Sequence, residues 1–102
     1  MLINLTDFYS PYHYFYFMET YQLLQTIYEI SKNDPNPETY PCKPRELILR
    51  HMQGWTDIRE LLQDLEREKL ITTVQQDTLV IKITREGILK IAELESVRRK
   101  NN

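Results

Sequence analysis

The chain has 102 residues, 41% hydrophobic and 27% charged, with a formal charge of −2. This suits one domain with one modest core, and it excludes a strongly basic protein. Only two glycines are present, which argues against a loop-rich or many-turned all-β fold.

The charge is unevenly spread. Residues 1–40 hold one base and five acids, net −4, whereas residues 41–102 hold twelve bases and ten acids, net +2. Any affinity for a polyanion is therefore expected in the second part, and is expected to be salt-sensitive. The single Cys42 has no internal disulfide partner, which fits a reducing, cytoplasmic setting. No run approaches the ~18 apolar residues that span a bilayer. The N-terminus lacks the basic start and small-residue cleavage site of a signal peptide. Met18 is an alternative start to Met1.

Residues 1–11 form an apolar and aromatic arm. Leu2, Ile3, Leu5 and Phe8 suggest that it packs on something. From His13 to Lys32 the apolar period is helical and carries two stripes. One is Tyr14, Phe17, Tyr21, Leu24 and Tyr28; the other is Tyr16, Leu23, Ile27 and Ile30. One face suffices for a domain of this size, so the second stripe is expected to meet either the N-terminal arm or a second subunit. Residues 33–43 read as a loop, because Pro35, Pro37 and Pro41 cannot continue a helix.

Pro44 suits the first turn of the next helix, PRELILRHM, with Leu47, Ile48 and Met52 as its apolar side. Gly54 breaks it. Trp55 to Leu70 then forms the most clearly amphipathic helix. Ile58, Leu61, Leu62 and Leu65 share one narrow arc, and Thr56, Glu60, Gln63 and Arg67 share the opposite one, with Arg59 on the flank. Thr56 is the expected N-cap, with Asp57 near the positive end of the dipole. Trp55 reads as a core plug at the helix–helix turn. After Leu70 the period changes from helical to alternating. Ile71–Val74 and Leu79–Thr84 read as two strands of a hairpin, although the intervening Gln75-Gln76-Asp77 lacks a strong turn signal. Thr84 caps a last helix, REGILKIAELESVRR. Its Ile88, Leu89, Ile91, Ala92 and Leu94 cover more than one face. The fold class is therefore mostly α with a small β-hairpin wing, in one domain over residues 1–102.

Helix, short turn, helix, hairpin and helix is the order of a winged helix-turn-helix domain. Three stretches also resemble that family. Leu47 and Ile58 are similar in spacing to its Leu-to-Val/Ile pair. LLQDLEREKLI resembles its second-helix signature, and IKITREG resembles the wing strand running into the start of the last helix. The resemblance covers Pro44 to Leu94, and the extra aromatic helix makes the whole similar to MarR-like and PadR-like bacterial transcription regulators. There are departures. The family often places a small residue and a glycine where this chain has Ile48 and Met52, so the turn is expected to reorganise around Gly54 and Trp55. The wing tip has no Arg or Lys, and the second helix also carries Asp57, Glu60, Asp64, Glu66 and Glu68.

The resemblance implies double-stranded DNA as the partner. Thr56, Glu60 and Gln63 would face base edges, while Arg59 and Arg67, helped by Arg45, Arg50 and Lys43, would hold phosphates. The departures favour the alternative, a winged-helix module that binds a protein partner without DNA. A homodimer pairing the terminal helices is expected, with Tyr16, Leu23, Ile27, Ile30 and Leu94 at its interface. His13, Cys42 and His51 are too few and too widely spaced for a zinc site. No phosphate loop, nucleophile–base pair or cofactor motif points to an enzyme.

Overall fold

The computed structural model describes the backbone of residues 11–100, and the side chains of these except 11–17, 98 and 100. The N-terminal arm, with Leu2, Ile3, Leu5 and Phe8, lies outside the described residues, as do the side chains of Tyr14, Tyr16 and Phe17. Helix α1 spans Pro11–Ser31, followed by a 3-10 turn at Pro37–Thr39. Helices α2 (Pro44–His51) and α3 (Trp55–Arg67) form the helix-turn-helix pair. Strands β1 (Ile71–Gln75) and β2 (Leu79–Ile83) follow, and α4 (Arg85–Lys100) closes the described chain.

Helix α1 is the central post. It packs against α2, α3, α4 and β2. Leu23, Leu24 and Ile27 are fully buried, and Ile30 nearly so. This corrects the expected dimer assignment: Leu23, Ile27 and Ile30 belong to the chain's own core and have no surface to offer a partner. These three residues of the second stripe are covered by the rest of the same domain. The core continues through Leu47, Ile58, Leu61, Leu62, Leu65, Ile71, Ile81, Ile83 and Ile91, with Ile88 packed against it. Burial of this one cluster is the main source of stability.

Glu46 organises the entry to α2. Its carboxylate accepts the Lys43 N–H at 3.1 Å and the Tyr40 hydroxyl at 2.8 Å, and Pro44 sits in the first turn. Only Leu47 of α2 is fully buried. Ile48 is 40% and Met52 86% exposed, so they do not form the expected inner face. The turn is also not rebuilt around Gly54. Met52 takes the left-handed conformation (φ 61°), the geometry that a glycine would supply here. Gly54 has an extended backbone and is the N-cap of α3, without a side-chain cap. Thr56 is thus one residue inside the helix rather than its cap.

Helix α3 ends three residues before Leu70. Lys69 is left-handed (φ 64°). Its N–H donates to the Glu66 carbonyl at 2.9 Å, and the Leu70 N–H donates to the Leu65 carbonyl at 3.0 Å. These two bonds form a Schellman motif, which places Leu70 back in the core beside Leu65.

The strands pair antiparallel, with Ile71 opposite Ile83 and Gln75 opposite Leu79. Ile71, Ile81 and Ile83 point into the core. The proline-rich segment is not wholly a loop. Cys42 and Ile81 exchange both backbone hydrogen bonds at 2.9 Å, so this segment guards the outer edge of β2. Burial keeps the Cys42 thiol protonated, pushing its pKa up to about 12.

Thr84 does cap α4. Its hydroxyl accepts the Gly87 N–H at 3.0 Å and donates to the Lys69 carbonyl at 2.7 Å. On α4, Ile91 is buried and Leu94 half-buried, whereas Leu89 (58%) and Val97 (53%) are exposed.

Candidate functional site

The inner face of α3 is fixed by Ile58, Leu61, Leu62 and Leu65, all buried. The helical period then sends Thr56, Glu60, Gln63 and Arg67 outward, and all four are exposed. Burial does not explain this ridge. Arg67 is 75% exposed at its side chain and pairs with Asp64 at 3.0 Å, one turn back. Such a pair is solvent-screened and contributes little to stability.

Arg59 lies on a different flank. Together with Trp55, Leu62, Gln63 and Glu66 it lines a cleft of about 360 Å³ against Thr73, Gln75 and Leu79 of the hairpin. Trp55 is half-buried and packed on the core, but it also lines this cleft. The core-plug reading therefore covers only one side of the residue.

One side chain fixes the width of the cleft. Glu66 accepts the Thr73 N–H at 3.0 Å and the Thr73 hydroxyl at 2.5 Å. The N–H belongs to the edge of β1 that faces away from β2. Glu66 thus satisfies an edge donor and ties the hairpin to α3. It is not a free surface acid, as its place in the acidic set suggested.

Lys43, Arg45 and Arg50 come from α2 and the residue before it. Arg45 and Arg50 are exposed and Lys43 is half-buried. Arg50 is not on the Arg59 cleft. It lines a shallow polar groove between α1 and the end of α2, with Glu19, Gln22, Gln25, Thr26, His51 and Gln53. There Thr26 Oγ1 and His51 Nδ1 are 3.3 Å apart. The Gln53 Oε1 atom is buried there, beside His51. The Glu66 bridge could not be found from periodicity, since it joins residues on different elements.

The hairpin tip, Gln76-Asp77-Thr78, is exposed and carries no base. Among the described residues no group of three or more His, Cys, Asp or Glu is placed to hold a metal ion, and no helix is long and apolar enough to cross a membrane.

This arrangement recurs in solved structures. A Staphylococcus aureus MepR mutant bound to an oligodeoxyribonucleotide superposes with a TM-score of 0.66 at 19% identity, covering 80% of this chain and 57% of that one. A MepR mutant from a multidrug-resistant S. aureus clinical isolate gives 0.66 at 20% identity, covering 80% and 56%. The fold is a winged helix. In the winged helix α2 and α3 are the helix-turn-helix, and β1 and β2 are the wing. The chain spans a little over half the length of the MepR chains it matches. No family model and no curated protein matches the sequence.

Proposed function

We propose that this winged helix binds double-stranded DNA through α3 and serves as a small cytoplasmic transcription regulator. The observation that carries the reading is the exposed ridge of Thr56, Glu60, Gln63 and Arg67, four hydrogen-bonding side chains on the helix opposite its buried face. The likeness to MepR, one copy of which is bound to an oligodeoxyribonucleotide, supports it. In this reading α3 enters the major groove with its Thr56 end leading. Thr56, Glu60 and Gln63 face base edges. Arg59, Arg67, Arg45, Arg50 and Lys43 hold phosphates. The wing tip, which carries Asp77 and no base, adds no phosphate contact of its own, and residues 43–68 balance five bases against six acids, so the phosphate contacts rest on individual side chains and not on a basic surface.

The dimer in this proposal pairs α4 helices through Leu89 and Val97, which are exposed, and Leu94 beside them. Sedimentation showing only monomer at tens of micromolar contradicts the dimer.

Titration of a labelled non-specific duplex at low and moderate salt tests the DNA reading. Binding that weakens steeply with salt is expected. Arg67→Ala weakens binding to all sequences alike and lowers the salt slope by about one charge. Gln63→Ala costs ~1–3 kcal/mol at one base position and spares non-specific binding. Absence of binding even at low salt refutes the reading and leaves a protein partner as the occupant of the ridge.

A further inference from the structure

We infer that the cleft between α3 and the wing is a nucleotide pocket, accepting one unpaired purine or pyrimidine ring with its phosphate. The cleft lies beside the outward ridge and shares Gln63 with it: it is framed by Trp55, Arg59 and Gln63 on one side and Gln75 and Leu79 on the other. Its volume of about 360 Å³ lies at the small end of the range for ligand sites, roughly 300–1,000 Å³.

The lining has the chemistry that such a ligand needs. The indole of Trp55 offers an aromatic face, and Leu62 and Leu79 supply an apolar floor, so a flat ring is stacked rather than solvated. Gln63 and Gln75 stand on opposite walls. Each amide carries a donor pair and an acceptor, and base edges alternate donors and acceptors in the same way. Arg59 supplies one fixed positive charge with a planar fork of donors, suited to a single phosphate.

Glu66 lines the same cleft and stays an anion while it accepts both donors of Thr73. It therefore offsets part of the Arg59 charge without pairing with it, and the guanidinium donors remain open to a phosphate. Asp64 is paired with Arg67. Among the described residues Arg59 forms no salt bridge. The Glu66 bridge also ties the two walls to each other.

The ring and its phosphate have two sources, a free mononucleotide or an unpaired nucleotide within a single strand. Trp55 is the sole tryptophan of the chain, so its fluorescence reports occupancy without labelling. The intact chain is titrated with the four nucleoside monophosphates, with the unphosphorylated nucleosides, and with short single-stranded oligonucleotides. Saturable quenching below about 1 mM by a monophosphate, weakened about tenfold by Arg59→Ala and several-fold by Gln75→Ala, supports a free nucleotide. Quenching by oligonucleotides alone, with the same response to the two variants, supports a strand. Circular dichroism verifies that both variants fold. The inference is overturned if no nucleotide or single strand quenches Trp55, or if both variants quench as the parent does. Duplex binding is followed separately by anisotropy of a labelled duplex. A chain that binds mononucleotide and no duplex sinks the DNA reading alone, and the reverse result sinks the pocket alone.

Discussion

Glu66 and Thr73 are joined by two hydrogen bonds to one carboxylate oxygen, at 3.0 Å from the backbone N–H and 2.5 Å from the hydroxyl. The bridge connects the last turn of α3 to the middle of β1. Among the side-chain hydrogen bonds described, it is what holds the wing against the helix. Glu66→Ala should cost ~0.5–1.5 kcal/mol in urea unfolding, the usual net value for such bonds. It should also speed hydrogen exchange at the Thr73 amide well beyond that global loss. Unchanged exchange at Thr73 would show that the wing is held by packing alone.

The left-handed residues give a second prediction. Met52 and Lys69 have φ values of 61° and 64°, a region that costs an L residue roughly 1–2 kcal/mol. Met52→Gly and Lys69→Gly should each stabilise the chain by ~0.5–1 kcal/mol after the entropic cost of glycine. Thermal unfolding of the single variants checks this. A loss of stability at Lys69 would argue against the cap described at the end of α3.

Gly87 predicts the opposite. A Cβ there would lie 2.2 Å from the Leu70 carbonyl oxygen and 2.7 Å from Ile83 Cγ1. The first of these is backbone and cannot step aside. Gly87→Ala should therefore destabilise by ~2–3 kcal/mol. Gly54 has nothing within 4 Å of the same position, so Gly54→Ser should be neutral or slightly stabilising through a new N-cap, by up to ~0.5 kcal/mol. Denaturant midpoints of the two variants should move in opposite directions or differ widely.

His51 adds a pH dependence. Burial lowers its pKa below the ordinary value of 6.5, only partly opposed by Gln53 and by the charge of Glu19. The unfolded chain therefore binds a proton more readily than the folded one. This contribution to stability is complete above pH 6.5 and is lost as pH falls through the lowered folded-state value. His51→Gln should flatten the stability–pH curve in that window relative to the parent. Parallel curves for the two proteins would remove His51 as the cause.

The core offers the simplest test. Leu65 is fully buried between α3 and the rest of the cluster. Leu65→Ala should cost roughly 2–5 kcal/mol. A loss below about 1 kcal/mol, the scale of surface changes, would contradict its placement.

What the sequence made legible follows from period and local chemistry. The spacing of Ile58, Leu61, Leu62 and Leu65 identifies the buried face of α3, and the ridge is its complement. Alternation places Ile81 and Ile83 inward, and Thr84 announces the start of α4. Period reports that a face is apolar, but not what covers it. Leu23, Ile27 and Ile30 therefore looked like surface for a partner, whereas α2, α3, α4 and β2 enclose α1. Met52 hid the turn because the residue type usually taken as the marker of left-handed backbone is absent. The Cys42–Ile81 pairing leaves no trace, since one isolated bridge across a long chain separation has no repeat to detect. The α3–wing cleft, too, exists only once Arg59 and Gln75 are brought face to face.

Tyr21 of α1 donates its hydroxyl to Glu68 at 2.9 Å, and the Lys90 ammonium of α4 stands 5.2 Å from its ring centre. With the turn at Lys69, this anchors the trailing end of α3 to both long helices. The leading end, at Gly54 and Thr56, has no such tether among the hydrogen bonds of its cap. The leading end is placed by packing instead, through Ile58 and Trp55 on the core, so the two ends of the helix are positioned by different forces: directed polar contacts at Glu68 and apolar burial at Trp55.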